Sequence, residues 1–334
     1  MCGQHGKGKA PKKRGGWDMN KKQEGRADCE CRYVIISPVR NEETYIEKTL
    51  QSVISQTVLP VEWIIVDDGS SDLTCDIVNQ FADGRDWIRL IHREDRGTRA
   101  LGAGVVEAFN YGLEQLSVSG YEFLVKLDGD LSFGPTYFEE LFRKFSDNRD
   151  LGIASGKTYV ERKGSLVVER MADHHVRGAS KVYRRSCFEQ IGGLRPIIGW
   201  DMVDELYAQF HGWETRSFAD LVLIHHRPMG TSTGNALKGK IRWGRGRYVT
   251  GSHPLFILAS GAYRMAEPPY VLGGLALIYG YVSAWLSRHQ RLPEANIREF
   301  QKRKELRRLL PHNLLNFLQN RVSRDTQLGT HWRP

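Results

Sequence analysis

A chain of 334 residues with 40% hydrophobic and 26% charged residues has the apolar content for a sizeable core, which excludes a wholly disordered chain. Its formal net charge of +9 points to an anionic partner: nucleic acid, a phosphorylated substrate or an anionic membrane face. Five cysteines, odd in number and without repeated metal-site spacing, suit a reduced cytoplasmic setting, and a metal at Cys29-Glu30-Cys31 would have too few visible partners.

Residues 1–31 are rich in Gly, Lys and Arg and poor in apolar residues, so a disordered basic tail is expected there. No aromatic interleaving accompanies the charge, and no nucleic-acid partner is expected. The start of the chain has no apolar run of the secretory type.

From Tyr33 the pattern turns into alternating strands and helices. Tyr33–Pro38 is a short apolar strand stopped by proline, and 42–56 reads as a helix with Ile46, Leu50, Val53 and Ile54 on one face. A second strand, 61–66, runs into Asp67-Asp68-Gly69-Ser70-Ser71-Asp72, where Ser70 or Ser71 is placed to cap the next helix. A third strand covers 87–91, and 100–116 is helical. The run Tyr121–Leu127 is then a buried strand that delivers Asp128-Gly129-Asp130 at its tip. Two carboxylates that close repel strongly in low dielectric unless a cation neutralises them, and hard oxygen ligands suit Mg²⁺ or Mn²⁺.

Alternation of this length predicts an α/β fold, a mostly parallel sheet covered by helices. Ligands of such sheets sit beyond the carboxyl ends of the strands, which brings residues 37–42, Asp67–Asp68 and Asp128–Asp130 around one crevice. A shared nucleotide and metal site is the expectation.

At this point the chain resembles family 2 glycosyltransferases of the GT-A (Rossmann-like) fold. The resemblance rests on Val34-Ile-Ile-Ser-Pro-Val-Arg-Asn-Glu-Glu43, Ser55-Gln-Thr57, Val66-Asp-Asp-Gly-Ser-Ser-Asp72 and Leu127-Asp-Gly-Asp130, and it covers about residues 33–250. It implies a nucleotide-sugar co-substrate, most often a UDP-sugar, a divalent metal and inversion at the anomeric carbon. Carried over by position, Ser37, Val39 and Glu42 lie along the nucleoside. Asp68 accepts from the base, Asp128 approaches the ribose or metal, and Asp130 holds the metal. Arg96 and Arg99 add cationic contacts to the diphosphate.

Inversion also needs a base for the acceptor hydroxyl. Counting back from Gly212-Trp213 places the family's aspartate at Asp201, with Trp200 where the family often has Glu; Asp204 is the second candidate and Glu205 the third. Spacing puts all three on one helical face. The segment Lys240–Gly246 resembles the Gln-x-x-Arg-Trp segment of polymerising members, with Gly239 in place of the glutamine, and implies contacts from Arg242 and Trp243 to diphosphate and acceptor. His225-His226-Arg227 follows the apolar run Leu221–Ile224 and reads as another strand end at the site; the resemblance to GT-A enzymes implies that a late histidine can join the metal, and a structural role is the expectation for the pair.

Residues 255–286 are largely apolar, and 268–287 carry no charge, close to the ~20 residues of a spanning helix. Basic residues flank this stretch and suit an anionic cytoplasmic leaflet. One span, an interfacial helix pair and a buried interface helix all remain open. The expected organisation is thus a basic tail at 1–31, a GT-A domain at 32–250, a helical membrane-associated region at 251–320 and a polar tail at 321–334. The expected activity is transfer of a sugar, hexosyl by type, to a glycan or polyprenyl-linked acceptor in polysaccharide or cell-envelope glycan synthesis, on the cytoplasmic face of the membrane. A nucleotidyltransferase and a non-catalytic nucleotide-binding scaffold are the alternatives.

Overall fold

The computed structural model describes residues 31–94, 103–162, 164–169, 171–227 and 236–309. The described residues belong to one compact unit. Its frame is a nine-stranded sheet in the order β3-β2-β1-β4-β8-β6-β9-β5, with β7 paired to β6 outside that path. The strands are β1 (Tyr33–Val39), β2 (Glu62–Asp67), β3 (Ile88–His92), β4 (Phe123–Leu127), β5 (Leu131–Phe133), β6 (Leu151–Arg162), β7 (Ser165–Val168), β8 (Ser180–Arg184) and β9 (Glu214–His225).

The first half of the sheet is the parallel unit that the alternation predicts: β1 pairs in parallel with β2 and β4, and β2 with β3. Beyond β4 the sheet becomes mixed, because β8 joins antiparallel to both β4 and β6 while β9 runs parallel to β6. Period-2 alternation sorts β1 onto two layers. Tyr33, Ile35 and Val39 join the layer under helices α1 (Ile46–Ile54) and α4 (Tyr137–Asp147). Val34 and Ile36 join the opposite layer, under α3 (Ala103–Glu114). There a Cβ on Gly112 would lie 2.7 Å from Val66 and 2.8 Å from Ile36, so only glycine lets α3 come this close to the sheet.

Two local expectations are corrected. Helix α1 starts at Ile46 rather than 42, because a turn closes first: the amides of Tyr45 and Ile46 both donate to the Glu42 carbonyl. Neither Ser70 nor Ser71 caps α2 (Thr74–Ala82). The Ser70 hydroxyl accepts from the Asn41 amide instead, and the Asp72 carboxylate takes the Thr74 amide and hydroxyl.

The remaining helices are α5 (Arg185–Gln190), α6 (Trp200–Phe210), α7 (Ala236–Val249), α8 (Pro254–Arg264), α9 (Val271–Leu286) and α10 (Ala295–Leu309). The boundary expected near residue 250 falls inside packed structure. Helix α7 crosses α9 with Gly244 against the Leu277 carbonyl and Gly280 against the Ile241 carbonyl. Helices α8 and α9 lie together through Gly261 and Gly274. Their outer face leaves Leu255, Leu258, Leu272, Leu275, Trp285 and Leu286 exposed. Among the described residues no helix is long and apolar enough to cross a membrane, so α9 is not the single span considered above.

Candidate active site

The strand ends of β1, β2, β4 and β9 meet on one rim. At the tip of β1, the Asp68 amide donates to the Val39 carbonyl, which continues the ladder one residue beyond β2. Asn41 takes a left-handed backbone (φ 53°), which its short polar side chain tolerates, and its side-chain Oδ1 accepts from the Ser71 amide at 2.8 Å. The turn that results presents Glu42, whose amide donates to Thr74 and whose carboxylate is held by Arg227, far along the chain. Asp68 is buried and accepts from Arg93 at 3.0 Å. Val39 is buried beneath this rim. Ser37 differs from expectation: its side chain is fully buried, and its hydroxyl accepts from the Trp63 indole at 2.9 Å. Ser37 therefore secures the core, and its side chain does not line the crevice.

The Asp-Gly-Asp turn follows β4. Gly129 supplies space rather than a left-handed turn, since a Cβ there would sit 3.0 Å from Ile46 and 3.1 Å from Val39. Asp128 stays partly exposed and pairs with the buried Lys126 ammonium; burial pushes its carboxyl above the ordinary range in spite of Lys126. Asp130 is buried, with Oδ2 3.3 Å from His225 Nε2 and 3.8 Å from Arg227 Nε. Burial would raise its carboxyl, but the hydrogen bond and charge of His225, then the charge of Arg227, hold it below the usual range. The other oxygen, Oδ1, is buried with no hydrogen-bond partner among the described residues, and so is His225 Nδ1. Asp130 Oδ1 and His225 Nδ1 thus keep unused lone pairs, and a carboxylate oxygen of this kind suits a hard divalent cation of the Mg²⁺ or Mn²⁺ type.

Behind the acids stand two buried lysines. Lys126 and Lys181 oppose each other across β4 and β8, and both lie over the Trp200 ring, at 5.4 and 5.6 Å. Each has its own counter-charge, since like charges at facing positions would otherwise destabilise the pair. Lys126 serves Asp128 and the Gly178 carbonyl; Lys181 contacts both Asp204 oxygens at 2.8 Å and Glu205 at 3.3 Å. Burial pushes the Lys181 ammonium down, and Asp204 and Glu205 more than offset it, so it stays charged. Gly178 joins the two halves of the site, because a Cβ there would touch the Trp200 ring at 2.9 Å and Asp201 Cβ at 3.2 Å.

The α6 acids separate sharply. Asp201, in the first turn, keeps a half-exposed carboxylate with no hydrogen-bond or ion-pair partner among the described residues. Asp204 is buried and fully engaged by Lys181, the Tyr183 hydroxyl and the Glu205 amide. It is therefore removed from the set of candidate bases. Glu205 is likewise enclosed by His175, the Val176 amide and Lys181. The helix turns Asp204 and Glu205 into the core and leaves only Asp201 at the crevice.

Several members of this site were not assigned a role from the sequence. His225, for which a structural role was expected over a place at the metal, faces Asp130, and Arg227 ties Asp130 to Glu42. Glu169 and Arg177 pair at 2.9 Å in the loops beside them. A strand whose apolar run ends in His-His-Arg was the available signal for the first two. Helix α7 packs its Gly246 near Gly199 and Met202 at the head of α6, and Arg242 lies one turn before Gly246 on the same face. Trp243 is held in a cationic stack with Arg264 at 4.0 Å, Arg247 and Lys240. That contact gives Trp243 a packing role against α8. Arg96 and Arg99 lie outside the described residues.

Residues 34–194 match the family model described as glycosyl transferase family 2. That match spans just under half of the chain, and over those residues the chain is similar to that family. Among curated relatives it is similar to the putative glycosyltransferase EpsH of Bacillus subtilis (strain 168), 29% identical over 213 residues that cover 58% of each chain. It is also similar to a poly-beta-1,6-N-acetyl-D-glucosamine synthase of Staphylococcus epidermidis, 32% identical over 130 residues, 38% of this chain and 28% of the synthase. The chain thus spans less than two thirds of the length of these relatives. Among solved structures it is similar to the mannosyltransferase PcManGT from Pyrobaculum calidifontis in complex with GDP-Man and Mn²⁺, with a TM-score of 0.49 and 18% identity, covering 78% of this chain and 76% of that one.

Proposed function

We propose that this protein transfers a sugar, with inversion, from a nucleotide-sugar donor to a glycan or lipid-linked acceptor in polysaccharide or cell-envelope glycan synthesis. The observation that carries the reading is the pairing, across Gly178, of an acid-lined rim (Asp128, Asp130) with one uncommitted carboxylate, Asp201. In this reading the nucleoside lies along Val39, Glu42 and Asp68, with UDP the first nucleotide to test.

Asp130, Asp128 and His225 would hold the divalent metal. When bound, that metal supplies positive charge where the departing diphosphate gathers negative charge. The residues of the chain do the rest. Arg227 fixes Glu42 and Asp130 relative to each other, and Arg242, one turn before Gly246 on α7, would add a cationic contact to the diphosphate. Asp201 takes the proton of the acceptor hydroxyl as its oxygen bonds to the anomeric carbon. The bond from that carbon to the diphosphate oxygen breaks on the opposite face.

The same reading places the protein on the cytoplasmic face of a membrane, lying on the surface rather than through it. The exposed apolar face of α8 and α9, bordered by Arg264, Arg288 and Arg291, supports this, because it pairs an apolar insertion surface with charges that suit anionic headgroups.

The test is a panel of UDP-, GDP- and dTDP-sugars with Mn²⁺, Mg²⁺ or chelator, in membranes and in detergent. Turnover of one donor that requires metal and disappears in Asp130→Asn and Asp201→Asn is the expected result. Nucleotide binding without turnover on any glycan or lipid acceptor would favour the scaffold alternative. In a parallel reaction supplied with a nucleoside triphosphate and a sugar 1-phosphate, release of pyrophosphate with formation of the nucleotide sugar would favour the nucleotidyltransferase.

A further inference from the structure

At the end of β9 opposite His225, helix α10 lies across α6 and the first residues of β9 and encloses a cleft of about 620 Å³. The β6–β9 ladder runs from Leu151 opposite Glu214 to Tyr159 opposite Ile224, eight steps along β6, or roughly 26 Å at ~3.3 Å per residue. The cleft is therefore separate from the acid-lined rim.

Arg303, Lys304, Arg307 and Arg308 follow the i, i+1, i+4, i+5 spacing that aligns them along one stripe of α10, and all four line the cleft. Lys304 donates to Gln209 of α6, and Arg308 donates to His174 Nε2 at 2.8 Å. A guanidinium only donates, so His174 is neutral and carries its proton on Nδ1. Trp213 and Phe300 add aromatic walls.

The acids nearby are already committed. Glu214 accepts from Asn148 at 2.7 Å and faces Arg216, while Glu299 pairs with Lys302 and Arg303. Lys304, Arg307 and Arg308 have no carboxylate partner among the described residues. The cations disfavour one another as a result. Burial, then Arg308, pushes the Lys304 ammonium down to about 8. Burial, then Arg308 and Lys304, pushes His174 down to about 4. Three unpaired cations in a concave site, two of them planar forks, match the tetrahedral, multiply charged oxygens of phosphate.

We propose that this cleft binds a phosphate-bearing anion through Lys304, Arg307 and Arg308, at a site distinct from the one that handles the donor. The phosphate can come from a soluble phosphate compound or from a lipid headgroup, and the two arms of the test separate these sources.

In the first arm, inorganic pyrophosphate is titrated calorimetrically into the full chain with chelator present. In the second, the full chain is sedimented with phosphatidylglycerol vesicles and with phosphatidylcholine vesicles. A Lys304→Gln/Arg308→Gln double variant is expected to lose at least tenfold in affinity, Arg307→Ala about threefold, and Asp130→Asn nothing. Cleft-dependent pyrophosphate binding identifies a soluble phosphate source. Cleft-dependent binding to phosphatidylglycerol vesicles alone identifies the headgroup. Should the double variant fail to fold, Arg307→Ala, an exposed position, decides alone. Unchanged binding in the cleft variants, or no saturable binding of either probe, overturns the proposal.

Discussion

Asp201 and Asp204 sit one turn apart on α6 yet occupy opposite environments: a half-exposed carboxylate without a partner among the described residues, and a buried one held at 2.8 Å by Lys181 through both oxygens. The difference predicts two different failures. Asp201→Asn should lower transfer by about 10²–10⁴-fold, the usual span for a general base, with an unchanged urea midpoint. Asp204→Ala leaves the Lys181 charge buried without its main partner and should cost roughly 3–5 kcal/mol of stability. Activity assays beside urea unfolding of both variants check this. A fully active Asp201→Asn would remove Asp201 from the reaction.

The contact between His225 Nε2 and Asp130 Oδ2, at 3.3 Å, makes His225 part of the acid site rather than a structural histidine. Loss of a group that ligates or orients a metal carboxylate typically costs about 10–100-fold in metal affinity. His225→Ala should raise the Mn²⁺ or Mg²⁺ concentration needed for half-maximal activity by that factor while saturating metal restores most of the rate. His226 provides the comparison. Its ring stacks on Tyr45 and bonds Ser132 at 2.8 Å, and His226→Ala should leave the metal requirement unchanged.

Much of this site was legible because its signals are local. An apolar run that ends in Asp128-Gly-Asp130 or Asp67-Asp68 announces a strand tip with acids, and alternating elements bring such tips to one edge. The partners were not legible, because they come from far along the chain. Glu42 meets Arg227 across 185 positions, and no spacing rule reaches that distance. Ser37 matched its motif, yet a single distant indole, Trp63, takes its hydroxyl into the core. The helical period placed Asp201, Asp204 and Glu205 together, but only the buried Lys181 on β8 decides which of them turn inward. The mixed half of the sheet was hidden for a similar reason: strands β6 and β9, each of 12 residues, do not follow the strand-helix alternation of the first half.

The crossing of α7 and α9 depends on glycine at two positions. A Cβ on Gly244 would fall 2.1 Å from the Leu277 carbonyl oxygen, and one on Gly280 would fall 2.1 Å from that of Ile241. Both obstacles are backbone, so the helices must move apart. Gly244→Ala and Gly280→Ala should each destabilise by about 1–3 kcal/mol, the range for overpacking. Gly239, on the same helix α7, has open space around its Cβ position. Gly239→Ala should instead be neutral or stabilise by up to about 1 kcal/mol, since alanine is the better helix former. Chemical denaturation of the three variants distinguishes the crossing from a general sensitivity of α7.

His174 reports on the cationic cleft through its own titration. Burial and the charges of Arg308 and Lys304 on α10 push it from an ordinary 6.5 to about 4, against the pull of Glu205 on α6, with His175 beside it adding to the depression. The sign follows from linkage: between about 6.5 and about 4 the unfolded chain binds a proton that the folded chain refuses. Stability therefore falls as pH drops through that window. The loss is smaller than the shift alone implies, because part of the ring stays in water. An NMR titration of the His174 ring should show the depressed midpoint, and Arg308→Gln should move it upward by removing one of the two flanking cations. Pyrophosphate, if it enters the cleft, should move it the same way in the unmodified chain, since an anion offsets the charges that hold the ring neutral. A midpoint near 6.5 that responds to neither change would mean that α10 does not press its cations against His174 in solution.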